Sequence, residues 1–342
     1  MSAATPPQRG ERRKLRAGGP AVVAIGGGHG LARSLGATRR FAGVLTAIVS
    51  AADDGGSSGR LRASLEIPAP GDLRKAIGAL LVAPERIGPL LEHRFGGGEL
   101  AGHAFGNLLL AALTATAGDF AAAIADACEL LGTLGAVYPA TSEPVSLIGE
   151  TASASIVGQV AVMATPGLVK VHLDPAAPET PAGALEALGA ADLVVLGPGS
   201  LYTSVLAALA APALCEAVRM TPGRVVYVAN LQEQHPETSG YDLGAHLAAL
   251  LAHHVRVDAV LADPNAAVRL GEVPAGTEVH LAEVARQPDG LVHDEARLAD
   301  ALARLLEGTA DRAGKGPLAL FDGRVPPTPS PRGTVESAPP AR

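Results

Sequence analysis

Leu45-Thr46-Ala47-Ile48-Val49-Ser50 runs straight into Ala51-Ala52-Asp53-Asp54-Gly55-Gly56-Ser57-Ser58-Gly59-Arg60. The first run has the apolar, β-branched character of a strand covered on both faces, as in a parallel sheet. The second is a polar, glycine-rich loop at the carboxyl end of that strand, which is where open parallel sheets bind ligands. Glycines let the backbone bend until its N–H groups converge on an anion. Ser57 and Ser58 add donors, Arg60 adds a bidentate phosphate contact, and Asp53 and Asp54 can hold a metal ion or a sugar hydroxyl. The same composition also makes an ordinary solvated turn, because Asp, Gly and Ser are the commonest turn residues.

The rest of the chain repeats the pattern. Ala21–Ile25, Leu45–Ser50, Asp192–Leu196, Arg224–Ala229 and Val257–Leu261 read as strands separated by Ala/Leu-rich helical runs, so helices cover both faces of a mainly parallel sheet. Each strand stops at a polar cluster: Gly26-Gly27-Gly28-His29-Gly30, the Asp53 segment, Gly197-Pro198-Gly199-Ser200-Leu201-Tyr202-Thr203-Ser204, the run from Asn230 to Thr238, and Ala262-Asp263-Pro264-Asn265. The stretch from about 136 to 173 differs, with Val137–Thr141, Val145–Ile148 and Ile156–Met163 reading as hairpin-like strands of an antiparallel insertion. The expected fold is therefore α/β, a three-layer Rossmann-like sheet, mainly parallel, with an antiparallel insertion. Residues 1–19 are expected to be a disordered basic arm and 20–322 a single α/β ligand-binding domain. Residues 323–342 form a Pro/Ser-rich tail, expected to be disordered, in which Thr328 and Ser330 are phosphorylation candidates.

Composition narrows the function classes. Of 342 residues 48% are hydrophobic but only 3% aromatic, so Ala, Val, Leu and Ile must build the core. A net charge of −7 argues against nucleic-acid binding by the folded part. The two cysteines, Cys128 and Cys215, have no CxxC partner and read as reduced thiols within apolar helices. No apolar run reaches the roughly 18 residues that a membrane span needs, and no signal-type core follows the basic arm. A cytoplasmic location is expected.

Gly26 to Leu31 looks like a dinucleotide fingerprint, but the spacing fails: counted from Gly26 the third glycine falls at Leu31, and counted from Gly28 at Arg33. No Gly-Lys-Ser/Thr follows, so it is no Walker loop, and a nicotinamide oxidoreductase is disfavoured. A helix starting there still aims N–H groups at an anion. Pro70-Gly71-Asp72-Leu73-Arg74-Lys75 starts another helix, which Asp72 can cap; Arg74 and Lys75 in its first turn oppose the dipole and call for a negative partner. His103 and Asn107 open the helix Leu108–Thr116, either as caps or as a pair facing a ligand, for acid/base work or base recognition.

Taken together, the clusters at 26–31, 53–62, 70–75, 103–108, 197–204 and 230–241 resemble the YvcK proteins, or gluconeogenesis factors, related to the CofD-type 2-phospho-lactate transferases. The likeness runs from about Val22 to about Leu305. It departs at Gln232-Glu233, where the family usually has Met-Thr, at Pro236, where it has Gly before Glu-Thr, and at Ala245, where an acid precedes the histidine. The resemblance implies a CofD-like fold and, on the YvcK side, binding of a UDP-sugar, notably UDP-N-acetylglucosamine, in support of cell-wall precursor supply and cell shape. The transferase side implies movement of a phospholactyl group from a nucleotide-activated donor, with Mg²⁺ at Asp53 and Asp54; no cofactor is certain on the first reading. Implied ligand contacts are Gly27, Gly28, His29, Gly30, Asp53, Asp54, Ser57, Ser58, Arg60, Arg62, Asp72, His103, Asn107, Gly199, Ser200, Thr203, Asn230, Gln234, Glu237 and Thr238. An enzyme of cell-wall precursor synthesis as partner, and a homo-oligomer, are expected as well.

Overall fold

A computed structural model of the protein describes residues 14–287 and 290–310. Most of the basic arm, and the tail with Thr328 and Ser330, lie outside the described residues. The chain enters through β1 (Ala21–Gly26), α1 (Gly28–Thr38) and β2 (Val44–Val49). Five helices follow, α2 (Gly56–Leu65), α3 (Gly71–Leu80), α4 (Pro84–Glu92), α5 (Phe105–Ala117) and α6 (Phe120–Leu131), leading to β3 (Ala136–Pro139). Next come β4 (Ser146–Thr151), β5 (Ser155–Val157), the short α7 (Gln159–Met163), β6 (Leu168–Asp174), α8 (Ala182–Gly189) and β7 (Leu193–Leu196). A π-helical turn, Leu201–Leu206, continues into α9 (Ala207–Leu209) and α10 (Pro212–Met220). The order closes with β8 (Arg224–Val228), α11 (Leu243–Ala252), β9 (Ala259–Ala262), β10 (Glu278–Leu281) and α12 (Glu295–Ala310).

The main sheet has seven strands in the order β10-β9-β8-β7-β1-β2-β3, every pair parallel. The chain lays β2 and β3 on one side of β1, then crosses back to lay β7, β8, β9 and β10 on the other. Strand order thus reverses between β1 and β7, whose registers run from Val22↔Leu193 to Ile25↔Leu196. A crevice forms beyond the carboxyl ends at such a reversal. Side chains alternate across the sheet. Val22 and Ala24 pack into one core with α1, α3, α5, α6 and α12, while Val23 and Ile25 pack into the other with the insertion, α8, α10 and α11. The expected three layers are present, and the near absence of aromatics lets Ala-rich helices sit close on the strands.

The insertion is smaller than expected. Ala136–Pro139 pairs parallel with β2, from Thr46↔Ala136 to Val49↔Pro139, and belongs to the main sheet. A short Val-Tyr-Pro run carries no periodicity that separates a hairpin strand from a parallel edge strand, and Pro139 is tolerated there because an edge leaves its missing N–H unneeded. The antiparallel sheet proper is β5-β4-β6. Ile156–Met163, read as one strand, breaks at Gly158 (φ 101), and Gln159–Met163 is helical.

Candidate functional site

The loops after β1 and β7 meet at the reversal point. A Cβ on Gly30 would collide with the Pro198 carbonyl, so glycine there allows the two backbones to touch. Ser34 Oγ donates to the Gly197 carbonyl at 2.5 Å, tying α1 to the same loop. A Cβ on Gly27 would stand 2.5 Å from Asp72 Oδ2 and 3.4 Å from Ser204 Oγ, so α3 and the π-helical turn both reach the β1 loop. The helix predicted near Leu31 begins at Gly28, with extended Gly27 as its cap and no side-chain cap bond.

On the β8 side, Asn230 grips the β7 loop. Its Oδ1 accepts from Gly199 N at 3.0 Å and its Nδ2 donates to Gly199 O at 2.9 Å. Gln234 Nε2 donates to Ser200 Oγ at 3.0 Å. Glu237 lies underneath, accepting from Tyr202 N at 2.6 Å, Thr203 N at 3.3 Å and Thr203 Oγ1 at 2.8 Å. Its carboxylate thereby satisfies the amino end of the π-helical turn, and burial pushes its pKa up from the ordinary 4.5. Thr238 Oγ1 accepts from Gln234 N at 3.1 Å. Glu237, Thr238 and Thr203 are all buried, and their polar atoms hold the loop pair together.

The Asp53 loop divides. Asp53 Oδ1 accepts from Gly55 N at 2.9 Å, while its Oδ2 faces Gly71 at the start of α3. Burial, with Asp72 adding like charge, raises its pKa above 3.8. Asp54 turns the other way, its Oδ1 accepting from Val160 N at 2.9 Å and its Oδ2 lying against Gly158. The neighbouring carboxylates serve different elements and do not share one coordination point, so the pair does not fit a Mg²⁺ site. Among the described residues no group of three or more His, Cys, Asp or Glu is placed to hold a metal. Arg62 Nη2 donates to Ser146 Oγ at 2.8 Å, carrying its charge to the insertion. Arg60 is exposed and donates to Ala101 O at 2.8 Å, beside His103.

None of the three capping roles open to Asp72, His103 and Asn107 is taken up. α3 is capped by Pro70 without a side-chain bond, and Asp72 pairs at 3.0 Å with Lys75. α5 begins after Ala104, again without a side-chain cap, so neither His103 nor Asn107 caps it. Both bond to Ser57 Oγ instead, His103 Nδ1 at 3.1 Å and Asn107 Nδ2 at 3.1 Å. Behind them Arg74, 2% exposed, donates from Nε to Asn107 Oδ1 at 3.0 Å and pairs with Glu92. Arg74 and Lys75 thus find the negative partners that their positions called for. Glu92 went unforeseen, since a lone Glu on an amphipathic helix carries no signal of its own. His29 stands exposed on the first turn of α1, and desolvation, then Lys75, lowers its pKa below 6.5.

These contacts join the predicted loops into one continuous belt: Asn230 to Gly199, Pro198 to Gly30, Gly27 to Asp72, Gly71 to Ser58 and Asp53, Ser57 to His103. The model of the family described as 2-phospho-L-lactate transferase CofD matches residues 22–290, which spans this whole belt. The chain belongs to the CofD family. Within that family it falls with the gluconeogenesis factors. It is 43% identical over 235 residues to the "Gluconeogenesis factor" of Halalkalibacterium halodurans, covering 68% of this chain and 73% of that protein. It is 38% identical over 237 residues to the "Gluconeogenesis factor" of Bacillus subtilis, covering 68% and 75%. A crystal structure of a UPF0052 family member from Bacillus halodurans superposes with a TM-score of 0.77 at 35% identity, covering 83% of this chain and 99% of that one. This CofD-family chain also has, among its described residues, no single helix long and apolar enough to cross a membrane.

Proposed function

We propose that the chain binds a UDP-sugar, with UDP-N-acetylglucosamine as the test ligand, and acts as a cytoplasmic regulator of cell-wall precursor supply and cell shape. The observation that carries this reading is the contact of the β1 and β7 loops at Gly30 and Pro198, clasped by Asn230, at the point where strand order reverses. Free N–H groups at the start of α1 supply an anion seat there, and Arg60 supplies charge across the cleft. The likeness of the runs at 55–62 and 197–204 to the YvcK side of the family supports a binding role over catalysis. Residues 20–322 would serve as the ligand-binding domain, with a precursor-synthesis enzyme as partner and a homo-oligomer as the working form.

One observation favours the second reading, a nucleotide-dependent phospho-acid transferase: the family model is described by that activity. Ligand at about 100 times its dissociation constant stabilises a fold by about 2.7 kcal/mol, a melting shift of several degrees. The expected result is such a shift with UDP-N-acetylglucosamine. A shift with GDP but not with UDP-N-acetylglucosamine, accompanied by transfer of the phospho-acid group from a nucleotide-activated donor to a deazaflavin hydroxyl with release of the nucleotide, would replace the first reading by the second.

A further inference from the structure

The bonds around Ser57 fix where hydrogens lie, because one end of the chain admits a single assignment. Arg74 carries donors and no acceptors, so the atom of Asn107 that meets its Nε at 3.0 Å is the carbonyl oxygen. The amide nitrogen of Asn107 therefore donates to Ser57 Oγ at 3.1 Å. Ala104 N donates to the same oxygen at 3.4 Å. With both lone pairs of Ser57 engaged, its own hydrogen is left for the remaining neighbour, His103 Nδ1, at 3.1 Å. Nδ1 is then an acceptor, and the imidazole carries its proton on Nε2.

Nε2 has no partner among the described residues, and the imidazole is partly exposed. Arg60 stands beside it, anchored on Ala101 two positions earlier in the same loop. Desolvation first, then the Arg60 charge, lowers the His103 pKa, which keeps the ring neutral at pH 7. A neutral N–H next to a guanidinium suits a phosphoryl oxygen: the cation supplies attraction and the imidazole direction. In this tautomer the free nitrogen is a donor and cannot accept a substrate proton.

We infer that His103 meets the ligand as an Nε2–H donor to a diphosphate oxygen, and that Ser57, Asn107 and Arg74 are positioning residues that hold it in that tautomer. This rests on the proposed diphosphate ligand for its second half only. The test is ¹⁵N-histidine NMR on the full chain, using two-bond correlations that report which ring nitrogen is protonated. Wild type at pH 7 is expected to show a bare Nδ1 and a protonated Nε2 at His103, and Ser57→Ala a mixture of tautomers. A protonated Nδ1 in wild type overturns the relay.

Inorganic pyrophosphate and UDP-N-acetylglucosamine then probe the ligand half, and both are expected to shift the Nε2–H resonance. A response to pyrophosphate alone supports the inference while removing the UDP-sugar reading; no response to either overturns the ligand half. Affinity for the responding probe should fall about tenfold in His103→Asn, whose amide lies near the Nδ1 position, about 1.4 kcal/mol. It should largely recover in His103→Gln, whose amide N–H reaches the place of Nε2. Equal losses in both variants would show that the ring merely fills space and would overturn the assignment.

Discussion

The loop after β8 and the cluster around Ser57 were both read from sequence as ligand-contacting, yet they end their hydrogen bonds in opposite directions. In the β8 loop, Asn230 and Glu237 point inward and meet backbone groups of the β7 loop, while Thr238 accepts from Gln234 N within its own loop. Around Ser57, the bonds begin at the buried Arg74 and run outward to an imidazole at the surface. The first arrangement sets the shape of a cleft; the second presents a group to it. The departures from the family pattern follow the same division. Gln232 is exposed and Glu233, Pro236 and Ala245 are partly so, whereas Asn230, Glu237 and Thr238, which make these bonds, are kept and buried.

The sharpest way to break this contrast is Glu237→Ala. The substitution leaves Tyr202 N, Thr203 N and Thr203 Oγ1 buried without an acceptor, and each such group costs about 1 to 3 kcal/mol. A loss of about 3 to 5 kcal/mol in urea unfolding is expected. A loss under about 1 kcal/mol would mean that the carboxylate is free to serve a ligand.

A smaller effect comes from acid. His246 is fully buried on Tyr227, with Nδ1 and the phenol oxygen 2.9 Å apart, and His293 is buried on the Ala229 carbonyl. Desolvation lowers both pKa values to about 4. Below 6.5 the unfolded chain takes up protons that the native state refuses, so stability is complete above that pH and is lost progressively down to about 4. The linkage is roughly 3 kcal/mol for each histidine. Asp53 and Glu237, with raised values, act in the reverse sense just above their ordinary pKa and blunt the loss at the acid end. His246→Leu should remove its own share, roughly 3 kcal/mol, from the stability change between pH 6.5 and 4. An unchanged slope would show that this histidine takes up its proton in the native state as it does in the unfolded chain.

Much of the framework was legible because it rests on local chemistry. Strand ends, the start of α1 and the clusters at 26–31, 53–60 and 197–204 announce themselves by composition, and a parallel sheet brings its carboxyl ends together whatever the order of its strands. What sequence could not supply was direction. Asp53 and Asp54 are adjacent, yet one faces α3 and the other α7, because successive residues leave an extended loop on opposite sides. Arg60 and Arg62 diverge likewise, one to Ala101 and the other to Ser146. The π-helical turn after Ser200 and the parallel pairing of Ala136–Pro139 depend on partners far along the chain, and no local pattern encodes them.

Arg60→Ala should have the smallest effect on the fold and so sharpens the comparison from the other side. Its hydrogen bond to Ala101 O lies at the exposed surface, where removal typically changes stability by less than about 0.5 kcal/mol. If the guanidinium stands beside His103 to attract a diphosphate, the same substitution should weaken UDP-N-acetylglucosamine by about tenfold or more, since charge-assisted phosphate contacts are worth roughly twice a neutral hydrogen bond. Urea unfolding and calorimetric titration on one preparation separate the two quantities. A variant that binds normally while losing 2 kcal/mol or so of stability would place Arg60 with the scaffold beside Glu237. The proposed diphosphate would then draw no charge contact from Arg60.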